Sequence, residues 1–313
     1  MSGLCIGFDT SNYTTSTAVF DGARGENRGR LLTVEQGALG LRQSEALFQH
    51  VKRLHLMVEQ LREEGQMGQI AAVGASTRPR EVEGSYMPCF LVGEGQGRTL
   101  AAALGVPFFP CSHQQGHIAA AAWSAGREDL LDAPHLAWHL SGGTTELLYV
   151  RSSGHLMEAQ LIGGTQDISA GQLVDRIGVA MGIPFPAGKG MDALSCQSQR
   201  EDFFPVKTKD GQFSLSGMEN KIRGMLEQGA EKPDVARFTL ETIASVLIRT
   251  TAWARERYGD LPLLCSGGVA SNTLLRQRLE GLGAVFAPPQ YSVDNALGVA
   301  ILAHRALERG AQG

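Results

Sequence analysis

The sequence is 313 residues long, 43% hydrophobic and 19% charged, which excludes a disordered chain and leaves room for two lobes with buried cores. Its formal net charge of -4 disfavours a protein that binds nucleic acid mainly by charge, although a local basic patch or a partner subunit could still bind RNA. The five scattered cysteines disfavour a disulfide framework and a cysteine zinc site. No apolar run is as long as a signal peptide or a membrane span. We therefore expect a cytoplasmic protein without membrane contact.

Hydrophobic periodicity predicts a mixed α/β order in the first part of the chain. Alternation and β-branched content predict strands, and apolar residues at helical spacing predict helices. The predicted strands are residues 4–8, 15–20, 70–76 and 106–110, and the predicted helices are residues 43–64, 91–104 and 113–125. Between residues 77 and 88, proline, glycine and several charges predict an irregular segment.

The same order of elements begins again in the second part. The predicted strands are residues 135–140, 146–151 and 261–265, and the predicted helices are residues 170–181, 234–258, 272–282 and 294–307. A strand, a polar turn and a second strand thus occur twice, at residues 4–20 and 135–151. One interpretation is two ordinary β-hairpins, since short hairpins rich in Ser, Thr and Gly are common.

The other interpretation is an α/β fold similar to that of the actin-like ATPases (RNase H-like), with two similar lobes around a nucleotide-binding cleft. In that superfamily the paired turns hold phosphates through backbone N–H groups and hydroxyls. We place an N-terminal lobe at residues 1–112 and a C-terminal lobe at residues 113–313, the latter carrying most of the metal and nucleotide site. The last helix is expected to pack back on the first lobe.

His113 and His117 are the first candidates for chemistry. They are four residues apart at the start of a predicted helix, so both imidazoles lie on one face and suit two ligands of one divalent metal. The zinc-protease signature would place Glu after the first His, but Gln114 occupies that position and cannot act as a general base. Taken alone, such a pair more often lies on the protein surface without binding a metal. A metal site would need a third ligand.

Asp294, at the start of the last predicted helix, is the candidate for that third ligand, although from sequence alone an N-cap role is favoured. Asp175 lies in a mostly apolar helix and suits a contact to a ribose hydroxyl, with a solvated helix face as the alternative. The turn from Gly267 to Asn272 resembles a strand-to-helix turn that lets a nucleotide approach the backbone. The turn that contains Gly188 carries the same ambiguity.

An ordered set of motifs spans nearly the whole chain, and together the motifs resemble the TsaD family of tRNA threonylcarbamoyladenosine transferases, once described as O-sialoglycoprotein endopeptidases (glycoproteases). The motifs are Asp9-Thr-Ser, Ser112-His-Gln-Gln-Gly-His117-Ile-Ala, Leu140-Ser-Gly-Gly-Thr-Thr-Glu-Leu, Ala170-Gly-Gln-Leu-Val-Asp175-Arg, Phe213-Ser-Leu-Ser-Gly217, Gly267-Gly-Val-Ala-Ser-Asn272 and Val293-Asp-Asn295-Ala.

The resemblance implies an iron or zinc ion held by His113, His117 and Asp294. It implies ATP, AMP or an acyl-adenylate as ligand of a site formed by His139, Leu140, Ser141, Gly142, Gly143, Asp175, Gly188 and Asn272. The implied reaction moves a threonylcarbamoyl group from threonylcarbamoyl-adenylate to N6 of adenosine 37 in tRNA. The implied partners are a second copy or a paralogous actin-like subunit, a small ATPase, and tRNA.

The sequence departs from the family pattern mainly at positions that the resemblance associates with the acceptor and with acid/base chemistry, more than at the metal or nucleotide loops. No carboxylate follows Asp9-Thr-Ser, where the family has an acidic run, and the Gly-Pro-Gly loop is replaced by residues 78–88. Gln172 replaces Glu, Thr144 replaces His, and Glu219 replaces Lys. The chain therefore resembles a divergent paralogue.

Three alternatives stay open beside transfer to tRNA: carbamoyl transfer to another acceptor, a non-catalytic nucleotide-binding partner subunit, and a small-molecule kinase of the same superfamily. The retained metal ligands count against a partner subunit. The missing carboxylate near residue 13 counts against a kinase, and Gln114 counts against a metalloprotease.

Overall fold

The computed structural model describes residues 3–11, 13–34, 41–292 and 296–310. Its strands are β1 (Leu4–Thr10), β2 (Thr14–Phe20), β3 (Gly25–Leu31), β4 (Ile70–Arg78), β5 (Phe108–Ser112), β6 (His135–Leu140), β7 (Thr145–Ser153), β8 (Leu156–Thr165), β9 (Thr208–Lys209), β10 (Gln212–Phe213), β11 (Leu263–Ser266) and β12 (Ala284–Phe286). Its α-helices are α1 (Gln43–Glu63), α2 (Phe90–Leu104), α3 (His113–Ser124), α4 (Ala170–Ala180), α5 (Gly188–Ser195), α6 (Ser216–Glu227), α7 (Lys232–Tyr258), α8 (Thr273–Glu280) and α9 (Leu297–Glu308).

The chain divides into two compact units. The first comprises residues 1–133, 151–159 and 293–313, and the second comprises residues 134–150 and 160–292. The sequence-based boundary after residue 112 differs from this division, because α3 packs along α9 and so lies in the first unit. The two helices meet backbone to backbone: a Cβ added to Gly298 would lie 1.7 Å from the carbonyl oxygen of Gly116.

The sheet of the first unit has the strand order β3-β2-β1-β4-β5. β1 pairs antiparallel with β2 and parallel with β4, and β4 pairs parallel with β5. One face of the sheet packs on α1 and α2 around Phe8 and Leu54, which are fully buried. α9 packs on β1 and β4, where Gly7 lets the helix backbone approach the strand.

The sheet of the second unit repeats this arrangement. Its order is β12-β11-β6-β7-β8-β10-β9, in which β8-β7-β6-β11-β12 corresponds to β3-β2-β1-β4-β5. β6 pairs antiparallel with β7 and parallel with β11, and β11 pairs parallel with β12. The predicted pair of strand–turn–strand segments is therefore confirmed as the β1–β2 and β6–β7 hairpins, and each lies in the middle of an α/β sheet.

Most predicted elements are confirmed with shifts of a few residues at their ends, and the segment between β4 and α2 is irregular as expected. The predictions missed β3, β8, α5, α6 and the short strands. β3 was missed because its sequence, Gly-Glu-Asn-Arg-Gly-Arg-Leu, is polar, and it is an edge strand that pairs only with β2. None of the helices in the described part of the chain combines the length and hydropathy needed to cross a membrane.

Candidate metal centre and nucleotide site

The first turn of α3 is fixed by a capping box. The hydroxyl of Ser112 accepts a hydrogen bond from the backbone N–H of Gln115, and the Gln115 side chain accepts from the backbone N–H of Ser112 at 2.7 Å. Gln115 also donates to the carbonyl oxygen of Met157. These bonds fix the register of α3, so that the side chains of His113 and His117 project from the same face one turn apart.

The two imidazoles converge. Nε2 of His113 lies 3.0 Å from Nε2 of His117, and the rings are nearly perpendicular. Nδ1 of His113 lies 2.7 Å from Oδ2 of Asp9, a carboxylate that is only 1% exposed. A carboxylate accepts hydrogen bonds, so Nδ1 carries the proton and the lone pair of His113 lies on Nε2, directed at His117.

This donor set fits a divalent metal. Two nitrogens on one tetrahedral zinc ion stand about 3.4 Å apart for Zn–N bonds of about 2.1 Å, close to the separation found here. A histidine that binds a metal through one ring nitrogen usually donates a hydrogen bond from the other nitrogen to a carboxylate, as His113 does to Asp9. Within the described ranges no group of three His, Cys, Asp or Glu side chains is arranged to hold a metal. Asp294 lies outside the described residues, and its role as third ligand stays a prediction.

Asp9 was not among the predicted site residues. The only signal for it in the sequence is its place at the start of the Asp9-Thr-Ser motif. Its contact with His113 joins residues 104 positions apart, which no local pattern predicts.

The predicted nucleotide residues lie in the second unit. Ser141, Gly142 and Gly143 form the turn between β6 and β7, and the Ser141 hydroxyl accepts from the backbone N–H groups of Gly143 and Thr144 at 3.3 and 3.1 Å. Nδ1 of His139 lies 3.3 Å from the hydroxyl of Ser266 on β11. Leu140 is fully buried, backbone included, and a Cβ added to Gly267 would lie only 2.2 Å from its carbonyl oxygen, so this predicted residue presents no exposed atom to a ligand.

The start of α4 packs directly on this turn. A Cβ added to Gly171 would lie 2.5 Å from the carbonyl oxygen of Ser141 and 2.6 Å from Cα of Gly142. The hydroxyl of Ser169, the N-cap of α4, donates to the carbonyl oxygen of Gly142 at 2.7 Å. Gly171 therefore has to lack a side chain for the turn and the helix to stay together.

Asp175 and Gly188 are joined through one hydrogen bond. Oδ1 of Asp175 accepts from the backbone N–H of Ala187 at 2.7 Å, immediately before α5 begins at Gly188. The N-cap residue Ala187 makes no cap hydrogen bond with its own side chain, and a Cβ added to Gly188 would meet nothing within 4 Å. The N–H groups of the first turn, with open space beside Gly188, are suited to a polar ligand group such as a hydroxyl or a phosphate oxygen.

Asn272 is held from two sides. Its Oδ1 caps α8 by accepting from the N–H of Leu275, and its Nδ2 donates to Asp192 on α5 at 2.9 Å. Asp192 also accepts from the backbone N–H and the hydroxyl of Thr273. Asp192 was not predicted, although its position one helical turn after Gly188 was the signal that could have suggested it.

Asp167 holds the start of α6 rather than a ligand. Its carboxylate accepts from the hydroxyl of Ser214 and from the backbone N–H groups of Leu215 and Ser216. Partial burial acts to raise the pKa of Asp167, but these hydrogen bonds prevail and lower the pKa well below its usual range. Through these hydrogen bonds, the Phe213–Gly217 motif is held against Asp167, in the segment just before α4.

This lowered pKa predicts a pH dependence of stability. A carboxyl group whose pKa is lower in the folded state stabilises the fold above its unfolded pKa of about 3.9, and that contribution is lost as the pH falls below it. We expect Asp167→Asn to lower the urea midpoint at pH 7, with a smaller difference from the parent protein at pH 3. Asp260→Asn, at an exposed surface pair with Arg255, is the control and should change neither midpoint appreciably. A difference for Asp167→Asn that is equal at both pH values would contradict the assignment.

Glu219, which stands where the family pattern has lysine, is paired with two arginines. It lies 2.9 Å from Arg176 on α4 and 2.9 Å from Arg223 one turn later on α6. Partial burial acts to raise the pKa of Glu219, but the two arginines lower it. Glu219 therefore offsets one of the two positive charges, and the three side chains together carry a net charge of +1.

Comparison with solved structures confirms the fold. HypF from T. kodakarensis superposes with a TM-score of 0.64 at 14% identity, covering 98% of this chain and 48% of HypF, so the chain spans about half of that protein. The ROK hexokinase from Thermus thermophilus superposes with a TM-score of 0.50 at 18% identity, covering 97% and 99% of the two chains. Both are actin-like ATPase-type folds, as predicted.

Comparison of sequences shows the family. The model of the TsaD family, described as tRNA N6-adenosine threonylcarbamoyltransferase, matches residues 35–301. A protein of that name from Thermus thermophilus is 34% identical over 268 residues, covering 84% of this chain and 79% of the relative. One from Lacticaseibacillus casei is 31% identical over 304 residues, covering 91% and 84%. The expected resemblance is confirmed, and the chain belongs to the TsaD family of transferases.

Proposed function

We propose that this enzyme transfers a threonylcarbamoyl group from threonylcarbamoyl-adenylate to N6 of adenosine 37 in tRNA, with one iron or zinc ion bound. Two kinds of observation support the proposal. The relatives from Thermus thermophilus and Lacticaseibacillus casei are named tRNA N6-adenosine threonylcarbamoyltransferase. The observation that carries it within the chain is the convergence of His113 and His117, 3.0 Å apart, with Asp9 behind His113.

The reaction breaks the bond between the carbamoyl carbon and the phosphate oxygen and forms a bond from that carbon to N6. The amine loses one proton, and AMP leaves with the electron pair of the broken bond. Such a transfer needs no covalent nucleophile from the protein. It needs the two reactants held in place and the charge on the carbonyl and phosphate oxygens stabilised.

His113 and His117, with Asp294 as the predicted third ligand, would hold the metal ion. When bound, the ion supplies a Lewis acid for the developing charge on oxygen. Asp9 keeps the proton of His113 on Nδ1, so that Nε2 presents its lone pair to the metal side. His113 is 20% exposed and Asp9 is 1% exposed, so the orienting carboxylate is shielded from water.

The adenylate is assigned to the second unit. The uncapped start of α5 at Gly188 offers backbone N–H groups and a positive helix end to a phosphate or ribose hydroxyl. Asp175 fixes where α5 begins, and Asp192 and Asn272 join α5 to the start of α8. The turn Ser141–Thr144 completes the proposed site.

A second candidate is the same transfer to an acceptor other than tRNA. The specific observation that favours it is Glu219, a carboxylate paired with Arg176 and Arg223 where the family pattern has a lysine. With glutamate the three side chains carry a net charge of +1, whereas lysine at this position would give +3, so this cluster attracts an anionic acceptor such as tRNA less strongly.

The experiment is incubation of the metal-loaded protein with synthetic threonylcarbamoyl-adenylate and tRNA transcripts that carry adenosine or guanosine at position 37. A parallel reaction contains a paralogous subunit and a small ATPase. Nucleoside mass spectrometry is expected to find the modified adenosine only with adenosine 37. AMP release without modified tRNA, together with a carbamoylated product in a metabolite extract, would favour the second candidate. No release of AMP under any of these conditions would contradict both.

A further inference from the structure

A buried histidine on α1 lies beneath the turn between β1 and β2. His50 is fully buried, with Nδ1 2.8 Å from the hydroxyl of Thr15 and Nε2 2.8 Å from the carbonyl oxygen of Ser11. A carbonyl oxygen only accepts, so Nε2 carries the proton and Nδ1 accepts from Thr15. Burial lowers the pKa of His50, which favours this neutral form.

The residue that His50 holds is itself bonded to Asp9. The backbone N–H of Ser11 donates to Oδ1 of Asp9 at 3.0 Å, and Oδ2 of Asp9 accepts from Nδ1 of His113 at 2.7 Å. Each oxygen of the buried Asp9 carboxylate therefore accepts a hydrogen bond, and together these bonds fix the orientation of the carboxylate. Hydrogen bonds from Thr15 to His50 and from His50 to the Ser11 carbonyl are thus linked, through the Ser11 backbone, to the bonds from the Ser11 N–H to Asp9 and from His113 to Asp9, all within the first unit.

The other side of the same strand end is held separately. The hydroxyl of Thr10 donates to the carbonyl oxygen of Cys89 at 2.9 Å and accepts from the N–H of Gly93 at 3.1 Å. These bonds attach β1 to α2 and hold the chain just before the Ser11 N–H. His50 holds the next peptide group through the Ser11 carbonyl oxygen, so the backbone of Ser11 is fixed from both sides, and His50 is the side-chain contact on the carbonyl side.

We propose that His50 is a positioning residue, which fixes the Ser11 carbonyl and, through the backbone of Ser11 and the carboxylate of Asp9, the tautomer and ring orientation of His113. The expected effect of His50 on metal binding rests on the proposed function. The expected effect of His50 on the His113 ring does not depend on that function. A residue that only fills the core would affect stability and leave that ring unchanged. A positioning residue would change the ring and its affinity for metal as well.

The variants separate these two roles. His50→Phe keeps a ring but removes both hydrogen bonds, and Thr15→Val removes only the hydroxyl at nearly constant shape. His50→Gln offers one donor and one acceptor and is the conservative rescue. His55→Phe, at an exposed position on the same helix, is the matched control.

The first measurement is proton NMR of the metal-free protein. The His113 Nδ1–H is expected as a low-field resonance, assigned by its loss in Asp9→Ala. We expect the resonance to be lost or shifted in His50→Phe, shifted in Thr15→Val, largely restored in His50→Gln and unchanged in His55→Phe. The second measurement is titration with Co²⁺. We expect His50→Phe to bind Co²⁺ about tenfold more weakly, at the lower end of the loss caused by removing a group that orients a metal ligand.

A resonance and a Co²⁺ affinity that stay at parent values in folded His50→Phe would overturn the proposal. If His50→Phe does not fold, Thr15→Val decides: a shifted resonance supports the proposal, and an unchanged one overturns it. A protein that binds no metal but whose His113 resonance still depends on His50 would contradict the proposed metal role and support the positioning role. Metal binding at the parent level in His50→Phe, with a His113 resonance that does not depend on His50, would support the proposed metal role and contradict the positioning role.

Discussion

Replacement of His113 by alanine is expected to lower kcat/KM for threonylcarbamoyl transfer by about 10³-fold or more. A Lewis acid contributes several kcal/mol to stabilising charge in the transition state, and each 1.4 kcal/mol corresponds to about tenfold in rate. His117→Ala should have the same effect, because the two Nε2 atoms converge on one point. The measurements are initial rates with reconstituted protein and metal content by mass spectrometry, expected to fall from one ion per chain.

The matched control is His55→Ala, which removes an exposed imidazole from α1. We expect this variant to keep parent activity and metal content. Asp9→Ala should lie in between, with about 10- to 100-fold weaker metal binding, since it leaves both ligating nitrogens in place and removes only the group that orients His113. Full activity in His113→Ala would mean that the histidine pair is structural.

Substitution of Gly298 by alanine is expected to destabilise the first unit by about 2 kcal/mol or more. The added Cβ would lie 1.7 Å from the carbonyl oxygen of Gly116 and 2.9 Å from the backbone nitrogen of Ala120. Because these are backbone atoms, α3 and α9 would have to move apart. Overpacking costs about 1–3 kcal/mol, occasionally more, and a separation of only 1.7 Å from a backbone atom puts this substitution at the upper end. The gain of at most about 1 kcal/mol from replacing a helical glycine then leaves a net loss of about 2 kcal/mol or more.

The comparison variant for this effect is Gly224→Ala in α6, where an added Cβ meets nothing within 4 Å. It should raise the melting temperature slightly, while Gly298→Ala should lower it by about 5 °C. Gly298→Ala should also weaken metal binding, since α3 carries both histidines. Equal melting temperatures for the two variants would show that the helices can separate at no cost.

The local elements of this fold follow from the sequence because they depend on periodicity and on nearby residues. The helical spacing of α1, α4 and α7 and the two strand–turn–strand segments predicted an actin-like α/β plan, which the strand orders and the structural comparisons confirm. The sequence did not predict that α3 belongs to the first unit. Its packing on α9 depends on two glycines 182 positions apart, which carry no periodic signal in either helix.

The same distinction holds for the candidate site. The sequence by itself determined that His113 and His117 share a helix face and that the chain carries the ordered motifs of its family, because both are properties of short segments. Only the tertiary structure decided that Asp9 orients His113 and that His50 holds the turn behind it. Those contacts join strands and helices far apart in the chain, and a buried polar side chain finds its partner only after the core around it has formed.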